Sequence, residues 1–158
     1  MIDYPELAGQ ARELLAGESY PVANAANLSS LVFHALPEVN WAGFYFFDGT
    51  ELVVGPFQGK PACVRIPLDR GVCGAAARTR VTQLVPDVHA VADHIACDPD
   101  SRSELVVPIV KNGQLLGVFD MDSPVTGRFS DDDRRGIEQI VDVFVASLAD
   151  EAPLIPDA

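Results

Sequence analysis

Apolar residues recur every three or four positions in two stretches near the start of the chain. Residues 5–16 and 22–36 each show this spacing, which is typical of amphipathic helices packed on a core. The apolar face of the first helix consists of Leu7, Ala11, Leu14 and Leu15. Pro37 ends the second helix. A last helix is expected over about 131–149, with Ser130 as its N-cap and three aspartates at its positive end.

Other stretches are aromatic or continuously apolar and predict strands. Residues 40–47 (NWAGFYFF) and 51–57 (ELVVGPF) flank the turn sequence DGT and predict a hairpin. Residues 103–110 and 114–123 flank KNG, whose Asn-Gly pair is typical of a tight hairpin turn. The chain therefore carries two antiparallel hairpins, one in each half.

The region between the hairpins is irregular. A short strand is expected over 63–68, a short helix over 71–79, and a further strand over 82–88. This order of elements predicts an α+β fold, an antiparallel sheet with helices packed against it. The length fits one domain over residues 1–150, followed by a flexible, Pro-rich tail at 151–158.

Charge and composition narrow the classes of function. The formal net charge is −12, which argues against a nucleic-acid partner and against an anionic membrane surface. No apolar run approaches the roughly 20 residues of a membrane-spanning helix. The start, MIDYPELAGQ, lacks the basic and apolar segments of a signal peptide. We therefore expect a cytoplasmic protein, in whose compartment a disulfide would be transient and catalytic rather than structural.

Three cysteines, Cys63, Cys73 and Cys97, are the first candidates for chemistry. They lack the close C-x₂-C spacing of structural zinc sites, although a scattered site of three cysteines, or of two cysteines with His89 or His94, stays an alternative. Cys73 lies among small residues in GVCGAAA, which favours packing near the sheet or at a pocket wall. The segments around the other two cysteines are too polar for a core.

Cys97 lies in the polar stretch HIACDPDSRSEL. Nearby carboxylates would raise the pKa of its thiol through like-charge repulsion. These acids are Asp98, Asp100 and Glu104. A reactive thiol would need compensation from backbone N–H groups or from a cation such as His94 or Arg102. From the residues alone, an inert exposed thiol and a redox thiol are both open.

Three acids converge at one end of the second hairpin. Asp120 and Asp122 are two apart on a strand and share a face. The position of the turn places Glu104 opposite residue 121 or its neighbours. Carboxylates so close must share a proton, bind a cation or be well solvated. A solvated strand end, an ammonium site and a metal site are the alternatives, with calcium least suited because no D-x-D-x-D-G loop is present.

Several blocks of the chain, in order, resemble the free methionine-(R)-sulfoxide reductases, which are GAF-domain proteins. These blocks are NWAGFYF, GKPACVRIP, GVCGAAARTR, QLVPDVHAVADHIACDPDSRSELVVPI and LLGVFDMDSP. The resemblance covers about residues 20–148 and implies a six-stranded antiparallel sheet with helices packed on it. It also implies reduction of a free amino acid by a thiolate, through a sulfenic acid and a disulfide, with thioredoxin as reductant and without cofactor or resident metal.

The resemblance also assigns roles to individual residues. Cys97 matches the nucleophile and Cys63 the resolving thiol, so the oxidised protein would carry a Cys63–Cys97 disulfide. Cys73 matches a third cysteine, either an alternative resolving thiol or a structural one. Trp41 and Tyr45 match an aromatic wall of the substrate pocket, and core packing is an equal alternative for Tyr45. The substrate-binding acids of the family match Glu104, Asp120 and Asp122.

Two further expectations accompany this assignment. GAF domains often pair through their helices, so a homodimer is expected. The competing function is a ligand-binding GAF sensor without catalysis, which would not need a cysteine pair beside its pocket. Discrimination against peptide-bound methionine sulfoxide is expected because a peptide lacks the free ammonium group and is too long to enter a closed pocket.

Overall fold

A six-stranded antiparallel sheet organises the chain in the computed structural model, which describes residues 1–91, 94, 97–150 and 154–155. The strands are β1 (Trp41–Phe47), β2 (Glu51–Gly59), β3 (Arg65–Pro67), β4 (Gln83–Val85), β5 (Ser103–Lys111) and β6 (Gln114–Ser123). The helices are α1 (Tyr4–Leu15), α2 (Pro21–Ala35), α3 (Gly71–Thr79) and α4 (Asp131–Ser147). The predicted α+β class and the six-stranded sheet are confirmed.

Helices α1 and α4 each begin at a residue whose side chain caps the helix. The Asp3 carboxylate accepts from the Glu6 N–H at the start of α1. At the start of α4, Ser130 and Asp133 form a reciprocal capping box, so the predicted N-cap at Ser130 is confirmed. The predicted apolar face of α1 is correct except at Leu14, which is 43% exposed because α1 turns only a narrow stripe towards the core.

The order of strands across the sheet is β3-β2-β1-β6-β5-β4. The two predicted hairpins are β1–β2 and β5–β6, and the sheet joins them through antiparallel pairing of β1 with β6. Glu104 lies opposite Asp122 across β5 and β6, and Asp122 lies opposite Trp41 across β6 and β1. This register places three predicted site residues in one row across the centre of the sheet.

The two faces of the sheet have different roles. One face packs against α2 and α4, with α1 lying against those two helices, and forms the main hydrophobic core, which includes Phe44, Phe119 and Phe144. The opposite face packs against α3 in a smaller cluster that includes Trp41 and Cys73. Side chains alternate along a strand, so the residues of the row above all face α3 rather than the main core.

The irregular middle of the chain departs from the predicted elements. The strand expected over 63–68 is shortened to β3. The strand expected over 82–88 ends at Val85, because Pro86 has no N–H for the ladder, and a 3₁₀ turn follows at Val88–Ala90. The Asp87 carboxylate caps this turn by accepting from the His89 N–H.

The predicted tail lies mostly outside the described residues, since 151–153 and 156–158 are not among them. Leu154 is described and is buried against the main core. Among the described residues, no helix has both the length and the hydropathy needed to cross a bilayer.

Candidate active site

A small cavity opens between the α3 side of the sheet and two loops. One loop connects β2 to β3 and carries Cys63, and the other precedes β5 and carries Cys97. The cavity encloses about 50 Å³, and its walls include apolar, acidic and sulfur-bearing side chains. All three predicted acids, both predicted aromatics and two of the three cysteines, Cys73 and Cys97, line it.

The three acids form the floor of the cavity. Glu104 is 7% exposed and Asp120 is 4% exposed, whereas Asp122, at the end of β6, is only partly buried. Their convergence follows from the β5–β6 register, which sets Glu104 opposite Asp122 and Val106 opposite Asp120. The interpretation as a solvated strand end is wrong, because two of the three acids are removed from water.

Burial and mutual repulsion hold protons on these acids. Burial raises the pKa of Glu104 well above its usual value, and the neighbouring charge of Asp120 raises it further. Burial also raises the pKa of Asp120, and repulsion from Asp122 raises it further. The pKa of Asp122 is raised in the same way, by burial and then by repulsion from Glu104. The cluster can therefore retain a shared proton and can also attract a cation.

Cys73 lies in the wall that α3 contributes. Its thiol is buried and donates to Glu104 Oε2 at 3.8 Å. Burial, followed by the charges of Asp120 and Glu104, raises its pKa well above the usual range. The residue is thus a protonated thiol beside the acids, as expected for a cysteine that packs at a pocket wall.

Cys63 and Cys97 are joined in a disulfide, with their Cα atoms 5.4 Å apart. The pair implied by the family resemblance is the pair that forms, although 34 residues separate the two cysteines in sequence. Polar contacts also connect the same region. Lys60 Nζ lies 3.3 Å from Asp100 Oδ2, and Asn40 Nδ2 donates to Asp98 Oδ2 at 3.5 Å.

Aromatic rings contribute a further wall of the cavity. Trp41 stacks between Tyr45 and Phe57, with ring centroids 5.6 and 5.1 Å away. The Trp41 Nε1–H donates to the Lys60 carbonyl at 3.1 Å, which fixes the indole plane. Burial and the nearby Asp120 charge raise the pKa of Tyr45, so its hydroxyl stays protonated. Tyr45 both lines the cavity and packs in the smaller cluster, so the two interpretations of this residue are compatible.

Of the two candidate cations near Cys97, His94 lines the cavity and Arg102 does not. Burial lowers the pKa of His94, which favours a neutral ring at neutral pH. Arg102 Nη1 lies 3.2 Å from His89 Nε2. A zinc site of three cysteines is incompatible with this form, because two of the sulfur atoms are bonded to each other.

Ser101 is a cavity residue that the sequence analysis missed. It is 6% exposed, it lines the cavity, and its hydroxyl oxygen has no hydrogen-bond partner within the described part of the chain. Asp98 and His94 also line the cavity. The sequence already indicated these two, as an acid and a candidate cation near Cys97, whereas a single serine in a polar loop has no pattern that would identify it.

Comparisons with known proteins identify the family to which the fold and sequence are similar. A family model described as a GAF domain matches residues 23–148. The free methionine-R-sulfoxide reductase of Escherichia coli is 49% identical over 138 residues, which cover 87% of this chain and 84% of the relative.

Solved structures also match this chain over most of its length. A candidate GAF sensor protein from Burkholderia vietnamiensis is 63% identical, with a TM-score of 0.89 and 92% of each chain covered. The free methionine-R-sulfoxide reductase of Neisseria meningitidis, solved in complex with its substrate, is 40% identical with a TM-score of 0.88. That alignment covers 91% of this chain and 87% of the relative.

Proposed function

The chain belongs to the family of GAF-domain free methionine-R-sulfoxide reductases, and we propose from this that it reduces free L-methionine-(R)-sulfoxide to methionine. The observation that carries the proposal is the meeting of Cys63 and Cys97 beside a cavity with a buried acidic floor. A pair of cysteines that can close a disulfide supplies the two electrons that the reduction needs.

The floor and the aromatic wall suit the two ends of this substrate. The ammonium group of a free amino acid would pair with the acids around Glu104, where a positive charge offsets their mutual repulsion. The methyl group and the methylenes would lie against Trp41 and Tyr45. A peptide-bound methionine sulfoxide has an amide in place of the ammonium group and would leave the buried acids unpaired, which is costly.

The chemistry follows from the two sulfur positions. The thiolate of Cys97 attacks the sulfoxide sulfur and forms a transient S–S bond while the sulfoxide oxygen takes up a proton. The hydroxyl then passes to the Cys97 sulfur as the S–O bond of the substrate and the transient S–S bond break, so methionine leaves and Cys97 becomes a sulfenic acid. The thiol of Cys63 then attacks the Cys97 sulfur, water leaves, and the disulfide seen in the structure forms. An external dithiol, thioredoxin by family resemblance, restores both thiols by exchange.

The acids provide the proton that the oxygen needs. Because burial raises the pKa of Glu104, Asp120 and Asp122, the cluster keeps a carboxylic acid available at neutral pH. The same burial keeps bulk water from competing for that hydrogen bond. Cys73 adds a third protonated group in contact with Glu104 and serves here as packing and as a hydrogen-bond donor.

A ligand-binding sensor is the second candidate, since the relative from Burkholderia vietnamiensis carries that description. Sensing needs a cavity but no disulfide at its mouth. The two functions differ in one measurable way: a sensor returns its ligand unchanged, whereas a reductase converts it.

The test is incubation of the protein with free methionine sulfoxide, racemic at sulfur, and a dithiol, followed by chiral separation of the remaining epimers. We expect the R epimer to disappear and methionine to appear in equal amount, while an N-acetylated, amide-capped methionine sulfoxide stays intact. Recovery of both epimers unchanged, with saturable binding, would establish the sensor instead.

A further inference from the structure

We propose that Cys73, Glu104 and Asp120 form a binding site for Zn²⁺ on the floor of the cavity. One ligand atom from each residue, a sulfur and two carboxylate oxygens, lies within 4.8 Å of the other two. All three side chains are buried. Neighbouring ligands of a tetrahedral zinc ion lie roughly 3.3–3.8 Å apart, because its bonds to oxygen and sulfur are roughly 2.0–2.3 Å long. The Cys73 sulfur lies 3.8 Å from Glu104 Oε2, so this pair has the separation of two zinc ligands.

An unpartnered oxygen points to a missing ligand independently of this spacing. Asp120 is 4% exposed, and its Oδ1 atom accepts no hydrogen bond from any of the residues that the structure describes. A buried acceptor without a donor is unfavourable, and a cation would satisfy it. The floor also holds Asp122 within interaction range of Glu104, so positive charge there would relieve the repulsion among three carboxylates.

The chemistry of the donor set favours zinc over the hard divalent cations. Ca²⁺ takes six to eight oxygen ligands and Mg²⁺ keeps most of its water, neither of which a small cavity with a thiol supplies. Zn²⁺ accepts a thiolate together with carboxylates in four-coordination, and the fourth position would hold water on the open side of the cavity. Binding would displace the Cys73 proton, so zinc uptake releases protons.

The disulfide makes the site separable from the redox cysteines. With Cys63 and Cys97 joined, Cys73 is the free thiol of the chain, so any thiolate bound to a metal in the oxidised protein belongs to Cys73. Occupation would place a cation where the substrate ammonium group is proposed to bind. Inhibition by zinc that is competitive with the sulfoxide therefore rests on the proposed function, whereas the metal site itself does not.

The experiment uses oxidised full-length protein titrated with Cd²⁺, which replaces Zn²⁺ and shows thiolate coordination by ultraviolet charge-transfer absorption. We expect one Cd²⁺ per chain with this absorption, displacement by Zn²⁺, and release of protons to a pH indicator. In Cys73→Ser the absorption should vanish and the zinc affinity should fall at least about tenfold. The double variant Cys63→Ser/Cys97→Ser keeps Cys73 and should retain the absorption.

Two results would overturn the proposal. One is the absence of charge-transfer absorption in the wild-type oxidised protein, which needs no variant to fold. The other is undiminished zinc binding by Cys73→Ser, which would place the ion elsewhere. Failure of the proposed function is recognised separately: a chain that binds Cd²⁺ through its thiolate but never converts the sulfoxide retains the metal site and loses the reductase activity.

Discussion

Replacement of Glu104 by glutamine separates the effect of the acidic floor on the stability of the free protein from its effect on activity. The substitution replaces a buried ionisable group by a neutral amide and keeps the shape of the side chain. Glutamine still accepts from the Cys73 thiol, which lies 3.8 Å from Glu104 Oε2, and its amide can donate to Asp120. We expect the free protein to become more stable, because the new amide can donate to Asp120 Oδ1, which has no partner among the described residues, and a buried polar group without a partner costs about 1–3 kcal/mol. For a chain of this length, 1 kcal/mol corresponds to roughly 2–4 °C in Tm.

The pH dependence of that gain has a definite sign. Burial raises the pKa of Glu104, so the folded protein holds a proton that the unfolded chain releases. Ionisation of Glu104 does not lower the free energy of unfolding below the ordinary glutamate pKa of about 4.3. Above that pH the free energy of unfolding falls, until the pH reaches the raised pKa of Glu104 in the folded protein. The Tm advantage of Glu104→Gln over the wild type should therefore grow from about pH 4 upwards.

Activity should change in the opposite direction. Loss of one partner of a buried charge pair costs about 2–5 kcal/mol, which corresponds to a decrease of roughly 30-fold or more in kcat/KM. The assay is NADPH oxidation coupled through thioredoxin, with thermal unfolding measured on the same preparations. Glu13→Gln, at an exposed position of α1, is the matched control. An unchanged kcat/KM, or a Tm difference that does not grow with pH, would refute the reasoning.

The remaining predictions concern the cysteines, Ser101 and one helical contact. Cys97→Ser should abolish turnover, measured as methionine formed. Cys63→Ser should release one methionine per chain and then stop, because no disulfide forms for thioredoxin to reduce. Ser101→Ala should raise KM about tenfold with little change in kcat, since we propose that its unpartnered hydroxyl donates to the substrate carboxylate. Gly136→Ala should lower Tm, because the new methyl group would overlap the Tyr4 ring, at a cost of about 1–3 kcal/mol in chemical denaturation.

The serine and glycine substitutions each have a matched control in the chain. Ser19→Ala removes an exposed hydroxyl and should leave KM unchanged. Gly9→Ala adds a methyl group to α1 at an ordinary distance from its neighbours, 3.9 Å from an Arg12 nitrogen, and should stabilise by about 0.5–1 kcal/mol. Steady turnover in Cys63→Ser, or equal effects of the two glycine substitutions, would contradict the corresponding explanation.

The hairpins were predictable because their signals are local. Asn112 and Gly113 both adopt positive φ, at 52° and 76°, which is the conformation that makes an Asn-Gly pair typical of a tight hairpin turn. That turn sets the pairing of Lys111 with Gln114, and a one-residue shift between Ile109 and Val110 then brings Glu104 opposite Asp122 rather than Met121. The two turn residues therefore predict where Glu104 meets β6 to within one residue, and the irregularity in β5–β6 pairing, which has no such local signal, decides the exact partner.

The rest of the site depends on contacts between distant parts of the chain. Pairing of β1 with β6 brings Trp41 opposite Asp122, and no spacing rule predicts which strands of two hairpins become neighbours. The disulfide partner of Cys97 followed from the family resemblance and not from the separation of the cysteines. Ser101 was missed because a single serine in a polar loop has no pattern, and only burial without a hydrogen bond distinguishes it.

The most direct test of the mechanism mixes reduced protein with one equivalent of free L-methionine-(R)-sulfoxide in the absence of any reductant. Thiols are then alkylated and the disulfide is mapped by mass spectrometry, while released methionine is counted. The account predicts one methionine per chain, a Cys63–Cys97 disulfide, and Cys73 recovered as an alkylated thiol. A disulfide that contains Cys73, or a disulfide formed without release of methionine, would contradict it.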